Sequence, residues 1–167
     1  MAVTQDILRT WRHPRLVMRG LLADVPSEAR ALAFLIVGCI LVFVSQWPRL
    51  AREAAGFELP AGTEAPDLTA ALTHALYAWV ILAPLMFYAI AAVSHLIAKV
   101  VGGKGTFYTA RVALFWSLLA TAPMLLLYGL LAGFQGPVAS TQLVGGIWLA
   151  GFVIIWVLSL IEAEQSA

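Results

Sequence analysis

Three histidines are the residues of this sequence whose side chains could hold a metal ion or a haem. His74 and His95 fall in one apolar stretch, 21 residues apart, which is about 31 Å along a helix. They are too far apart to share one metal or haem, and His13 is the remaining histidine. Binding of a pigment by a single histidine is an alternative that the sequence leaves open. We expect His74 and His95 instead to be interfacial polar residues or to bond to neighbouring backbone, and we predict no cofactor.

No other set of residues indicates catalysis. The serines and threonines of the apolar stretches have no histidine and acid at a spacing typical of a nucleophilic site, and their usual role is hydrogen bonding between helices. An ion-coupled transporter usually needs an ionisable group within the membrane, and the apolar runs between 31 and 161 contain no Asp, Glu, Lys or Arg. We therefore expect a protein that is not an enzyme and does not bind nucleic acid.

The loop that begins at Gly102 is the most distinctive local sequence. It reads Gly-Gly-Lys-Gly and leads into Thr106, but it lacks the spacing of a phosphate-binding loop and follows no predicted strand. Three glycines permit a tight turn with exposed backbone, and we expect the two basic side chains to face the cytoplasm or anionic lipid. The alternative is that the loop is a basic turn whose only role is to fix the orientation of the spans in the membrane. The candidate interaction loop consists of Gly102, Gly103, Lys104, Gly105 and Arg111.

This loop, followed by Pro123 twelve residues beyond Arg111, resembles the Yip family of Ypt/Rab-interacting membrane proteins. In that family a Gly-Gly-Lys-Gly loop precedes a span with a mid-helix proline. The resemblance extends over roughly residues 5–161 and implies a helical bundle that, in eukaryotes, takes part in membrane trafficking and binds small GTPases. The sequence departs from the family in having fewer spans and no long acidic cytoplasmic region, so GTPase binding is not expected here.

The elements that must position these residues are four apolar runs. The runs extend over 31–48, 72–98, 112–132 and 139–161. A run of about 18 or more apolar residues is long enough to cross the bilayer core as a helix. The apolar fraction is 62% and the charged fraction 11%, against roughly 45–50% and 25% in soluble domains. The sequence therefore predicts an all-α integral membrane bundle of four transmembrane helices. Residues 1–30 form an interfacial segment, 31–161 the membrane domain and 162–167 a short cytoplasmic tail.

The basic residues predict the orientation. Eight of the ten Lys and Arg residues lie before the first run or between the second and third, and two lie between the first and second. Because basic residues near span ends stay in the cytoplasm, both termini are expected there. Arginine outnumbers lysine eight to two, and this composition suggests a GC-rich bacterial genome and hence the bacterial cytoplasmic (inner) membrane.

The segment from Val3 to Leu22 is predicted to be an amphipathic helix at the headgroup level, broken by Pro14. Its arginines indicate binding to anionic lipid of the cytoplasmic leaflet. A docking surface for a cytoplasmic protein is the alternative. The candidate interfacial anchor consists of Arg9, Trp11, Arg12, Arg15 and Arg19. Asp24 is expected to cap the start of the first span.

Two further features concern helix packing. Pro84 and Pro123 predict bends in the second and third spans. The patterns Gly129-x-x-x-Gly133 and Gly146-x-x-x-Ala150 permit close helix approach, either within the bundle or between copies.

The sequence favours a non-enzymatic bundle that resembles the Yip family and organises the membrane or binds protein partners. One alternative is a small accessory subunit of a larger membrane complex. Another is a small transporter or lipid-handling protein that acts as an oligomer.

Overall fold

The computed structural model describes residues 3–57, 59 and 62–165, which form helices and loops with no strand among them. The helices are α1 Val3–Thr10, α2 Pro14–Ala23, α3 Glu28–Ala54, α4 Leu68–Leu76, α5 Ala83–Val100, α6 Phe107–Gln135 and α7 Ala139–Gln165. A π-helical segment, Tyr77–Leu82, joins α4 to α5 into one continuous span. Within this part of the chain, that span together with α3, α6 and α7 makes four helices long and apolar enough to cross a membrane. The predicted all-α bundle is confirmed, and the chain is a multi-pass membrane protein.

The helix ends follow local capping. Ser27, not Asp24 as predicted, caps α3, since its hydroxyl accepts a hydrogen bond from the Arg30 N–H at 3.3 Å. Asp24 follows the end of α2 and forms an ion pair with Arg30 at 2.8 Å. The break predicted at Pro14 is present, with α1 ending at Thr10 and Pro14 opening α2.

The core of the bundle is the parallel pair α3 and α6. They begin at the same end, where the backbone N–H of Ser27 donates to the Tyr108 hydroxyl at 3.0 Å. Further along, Phe34 and Trp116 meet edge to face with ring centroids 5.1 Å apart. A β-carbon added to Gly129 would collide with the backbone of Ser45. The first of the two small-residue patterns therefore packs within the bundle.

The second pattern differs. Gly146 and Ala150 lie on the exposed surface of α7, and nothing lies within 4 Å of where a Gly146 β-carbon would sit. This pattern serves no close approach within the described bundle.

The second span changes its hydrogen bonding where proline interrupts it. Pro84 has no N–H to donate four residues back, and the preceding Tyr77–Leu82 segment has π-helical hydrogen bonding. The two halves of the span pack differently: α4 and the π-helical segment pack mainly on α3, whereas α5 packs mainly on α6. The bend at Pro123 stays a prediction.

Reporter fusions should place both termini in the cytoplasm. In the structure Arg19 near the N-terminus bonds to Glu162 near the C-terminus at 2.8 Å, so both lie at one end of the bundle. A reporter after Ala167 should be active in the cytoplasm, and one inserted between Gly56 and Pro66 should be active on the opposite side. A reporter after Ala167 that is active outside would contradict the predicted orientation.

Candidate functional site

The end of the bundle that carries both termini, here called the basic end, holds the candidate interaction loop. Its backbone is fastened to the last turn of α7 by one residue, Glu164. The Lys104 N–H donates to the Glu164 carbonyl oxygen at 2.9 Å, and the Gly105 N–H donates to Glu164 Oε2 at 3.0 Å. The side chain of Glu164 is only 6% exposed. Residues 162–165, expected as part of a short tail, continue helix α7 here, and 166–167 lie outside the described residues.

Each of the three loop positions requires glycine for a steric reason. Gly102 has φ +94°, and the Gly103 N–H donates to the Ala98 carbonyl at 2.9 Å, which closes the end of α5 as in a Schellman motif. A β-carbon on Gly103 would lie 2.5 Å from a carboxylate oxygen of Glu164, and one on Gly105 would lie 2.7 Å from a backbone carbonyl. The three glycines are therefore explained by the turn and by its close approach to α7.

The threonine that follows begins the next helix. Thr106 and Thr109 form a reciprocal capping box, in which each hydroxyl accepts the other residue's N–H, at 3.2 Å and 2.9 Å. The run that resembled part of a phosphate-binding loop is thus a helix end, a bonded turn and a helix start.

Glu164 also binds His95. His95 Nδ1 lies 2.7 Å from Glu164 Oε1, the imidazole is 1% exposed, and the ring of Phe107 meets it at 4.5 Å between centroids. His95 therefore bonds to a carboxylate of α7 and not to neighbouring backbone, and it is buried near the basic end. His74 lies exposed on α4. Among the described residues no group of three His, Cys, Asp or Glu could hold a metal ion.

Arg111 forms an ion pair with an acid at the start of α3. Its Nη2 lies 2.6 Å from Glu28 Oε1, and its guanidinium lies 5.6 Å above the ring of Tyr88. These contacts tie the start of α6 to the start of α3 and to α5. The side chain of Lys104 is exposed, so the two basic residues of the candidate loop have different surroundings.

The N-terminal hairpin, made of α1, α2 and the turn between them, packs into the bundle. The Trp116 Nε1–H donates to the Thr10 hydroxyl at 3.0 Å, and the Trp11 Nε1–H donates to the Ala120 carbonyl at 3.1 Å. The ring of Trp11 also contacts α7, because a β-carbon added to Gly151 would lie 3.0 Å from it. Ala120 and Gly151 lie near the centres of the third and fourth apolar runs. The ring of Trp11, at the tip of the hairpin, therefore reaches the level of the middle of the membrane spans.

This arrangement differs from a helix lying at the headgroup level, where Trp11 was expected. Ala120 is nine residues beyond Arg111, or about 14 Å along the helix, roughly half the ~30 Å hydrocarbon core. From the tip, α2 returns along α7 to the basic end, where Arg19 bonds to Glu162. The hairpin thus carries part of the predicted anchor to the membrane interior.

A basic cavity of about 380 Å³ lies at the hairpin turn. Its lining residues are Arg12, His13, Pro14, Arg15, Leu16, Arg19 and Leu158. Arg19 is held by Glu162, whereas Arg12 and Arg15 form no ion pair or side-chain hydrogen bond with any residue that the structure describes. The cavity can bind an anion, because arginine presents several N–H donors in a planar fork that fits phosphate or carboxylate.

Sequence reasoning missed both buried acids, Glu162 and Glu164. They follow the last apolar run directly, so they were assigned to the tail. Two features of the sequence could have indicated these contacts. The loop from Gly102 to Gly105 is rich in glycine, and this loop and the C-terminus are predicted to lie on the same side of the membrane.

Comparison with known proteins found no match. No family model matches the chain, and no curated protein or solved structure matches it at a significant level.

Proposed function

We propose that this chain is a non-enzymatic membrane protein that organises the cytoplasmic leaflet of a bacterial inner membrane by binding anionic phospholipid at the N-terminal hairpin. The observation that carries the proposal is the pair Arg12 and Arg15. Both line the basic cavity at the hairpin turn, below the level of the basic end, and neither is paired with a described residue.

Arginines at this depth need a group nearby that offsets the free-energy cost of placing their charge in the membrane. Placing an arginine at the centre of a membrane helix costs about 2.5–3.5 kcal/mol on insertion scales, and this cost falls when the side chain extends towards water or an anion. Arg15 precedes Arg19 by four residues on α2 and is nearer the hairpin turn, so it lies about 6 Å deeper in the bundle. A lipid phosphate that lies one helical turn deeper than Arg19 would contact Arg15. Arg12 lines the same cavity close to it.

The other sources of negative charge fit less well. The four apolar runs of a second copy supply no carboxylate at this depth, because no Asp or Glu lies within them, and Asp6 of the hairpin is largely buried beside Arg9. An acid on a membrane helix of another protein would meet the same arginines, which is the accessory-subunit alternative. A phospholipid also satisfies the apolar part of the cavity, since Leu16 and Leu158 lie beside the arginines where an acyl chain would extend.

The resemblance to the Yip family supports the same class of function, a helical bundle that acts on or within membranes without catalysis. The glycine loop forms a structural link to α7 and does not carry this proposal. The proposal places the basic end in the cytoplasm, where eight of the ten basic residues were assigned.

The double variant Arg12→Gln/Arg15→Gln should lose bound anionic lipid. Purified protein in mild detergent is titrated with phosphatidylglycerol, and the bound lipid is counted by native mass spectrometry. We expect the affinity of the variant to fall at least tenfold, or about 1.4 kcal/mol, because two charge-assisted sets of hydrogen bonds are removed. Phosphatidylcholine should bind equally weakly to both proteins.

The matched control is Lys99→Gln/Lys104→Gln, which removes two basic residues of the same end outside the cavity. It should retain most of the phosphatidylglycerol binding. Equal losses in the two double variants would show that general surface charge attracts the lipid and would reject the cavity as its site. Unchanged lipid binding in the hairpin variant, with another membrane protein copurifying only with wild type, would favour the accessory-subunit alternative.

A further inference from the structure

Two cavities meet at the outer end of the bundle, which lies opposite the basic end. One, of about 330 Å³, is lined mainly by aromatic and aliphatic side chains, and the other, of about 270 Å³, is lined mainly by polar ones. Arg49 and Tyr128 line both cavities, so the two spaces adjoin at these side chains. Together they form one site with an apolar part and a polar part.

The apolar part is a cleft between the second span and α7. These two elements bond to each other at the basic end, through His95 and Glu164. Towards the outer end they separate, because α4 and the π-helical segment pack mainly on α3, whereas α7 packs on α6 and α2. Trp79 lines one wall and Trp148 the other, and both rings are only half-buried. A cleft of this kind between two membrane spans is accessible to the acyl chains of the bilayer.

The site extends from the headgroup level into the hydrocarbon core. Arg49 directly follows the first apolar run, which ends at Pro48. Val42 lines the inner part of the cleft and precedes Arg49 by seven residues on α3, or about 10 Å along the helix. Since the whole core is ~30 Å thick, the cleft follows about two thirds of one leaflet.

The polar part offers hydrogen-bond partners of both signs. Arg49 bonds to Glu53 at 2.9 Å, yet the side chain of Arg49 is 45% exposed and that of Glu53 is 41% exposed. A guanidinium has several N–H donors and a carboxylate several lone pairs, so both keep capacity for further bonds. Tyr128 forms no hydrogen bond with any residue that the structure describes, and its hydroxyl is accessible. A phosphate can therefore accept from Arg49 and Tyr128 while an ammonium donates to Glu53.

This combination selects one class of ligand. A water-soluble ion would leave the apolar cleft empty, and a hydrocarbon would leave the polar cavity without a partner, whereas an amphiphile fills both. The carboxylate of Glu53 beside the guanidinium of Arg49 favours a headgroup that also carries both signs. A fatty acid carries only the negative one.

We infer that the outer end binds one phospholipid whose headgroup contains a primary ammonium, of the phosphatidylethanolamine type. The phosphate accepts from Arg49 and Tyr128, the ammonium donates to Glu53, and one acyl chain lies along the cleft. The site shares no lining residue with the basic cavity at the hairpin turn. It therefore does not depend on the lipid binding proposed there.

The headgroup contact is tested by titrating phosphatidylethanolamine into the purified full-length protein in mild detergent, with bound lipid counted by native mass spectrometry. Wild type should bind one molecule saturably. Tyr128→Phe removes only the hydroxyl and should raise the dissociation constant at least tenfold, because a hydrogen bond to a charged group is lost. Tyr77→Phe is the matched control, since Tyr77 is exposed on the π-helical segment and lines neither cavity. It should bind like wild type.

The acyl-chain contact is tested separately by Val42→Phe, which fills the cleft from the α3 wall and leaves every headgroup contact in place. It should also raise the dissociation constant at least tenfold. Val44→Phe makes the same change at an exposed position of the same helix outside the cleft and should bind like wild type. Tyr128→Phe gives an answer if Val42→Phe fails to fold.

Three results would overturn the inference. The first is unchanged binding in Tyr128→Phe, or losses as large in the controls as in the cavity variants, which would indicate general contact with surrounding lipid. The second is binding of phosphatidylcholine as tight as that of phosphatidylethanolamine, because its quaternary ammonium has no N–H for Glu53. The third is displacement of the bound lipid by palmitate at equal concentration, which would assign the site to a fatty acid. Arg12→Gln/Arg15→Gln should bind phosphatidylethanolamine like wild type, so this inference and the hairpin proposal can fail independently.

Discussion

Replacing Glu164 with alanine should destabilise the protein by about 2–6 kcal/mol, because two buried groups that bond to its carboxylate lose their partner at about 1–3 kcal/mol each. The side chain is 6% exposed and bonds to both His95 and the Gly105 N–H. Its loss leaves a buried imidazole and a backbone donor without an acceptor. Thermal and chemical unfolding in detergent, followed by circular dichroism, would measure the change.

The position of the damage distinguishes this explanation from general destabilisation. Hydrogen exchange should accelerate first at residues 101–106, since the carboxylate of Glu164 fastens this loop to α7. Glu164→Gln retains an acceptor and should lose less than alanine does. The matched control is Glu53→Ala, which removes a carboxylate 41% exposed from an ion pair and should cost at most about 1 kcal/mol. A loss in Glu164→Ala no larger than this control would contradict the assignment.

The second large effect is expected from Gly129→Leu. A side chain at this position would collide with the backbone of Ser45, so α3 and α6 must separate along their outer halves. Overpacking of a core costs typically 1–3 kcal/mol and more when backbone must move, and we expect about 3 kcal/mol or more here. The free energy of unfolding in detergent is the measurement.

Gly146→Leu provides the control within the same protein. It makes the same chemical change in an apolar helix, with the same gain in helix propensity, but nothing lies within 4 Å of the new β-carbon. The stability of the monomer should hardly change. A loss of stability equal to that of Gly129→Leu would mean that the two glycines play similar roles.

The helices could be predicted because each apolar run is continuous and its length matches the bilayer. Three of the predicted runs lie inside one α-helix each, for example 31–48 inside Glu28–Ala54, and 72–98 lies inside the continuous span made by α4, the π-helical segment and α5. The extra turns could not be predicted from hydrophobicity, since they depend on caps such as Ser27 and Thr106. The close approach at Gly129 was one of two alternatives, and only the position of Ser45 decides between them.

The contacts of the basic end could not be predicted from the sequence. His95 and Glu164 are 69 residues apart, and charges near span ends usually mark where a chain enters water. An acid after the last apolar run was therefore assigned to the tail, although the glycine loop covers it. The hairpin was misplaced for a related reason. Its amphipathic pattern predicts an apolar face but does not specify whether that face meets lipid or, as for Trp11, the centre of α6.

The fastening of the glycine loop by Glu164 has a consequence for biosynthesis. Ribosomes make the loop, and insert the second and third spans, well before residue 164 is translated. Until that residue arrives, the Gly105 N–H and the His95 ring have no carboxylate, and Arg19 waits in the same way for Glu162. The basic end is thus completed after all four spans have been made. A nascent chain stalled before residue 162 would therefore present an open glycine loop and an Arg19 side chain without Glu162.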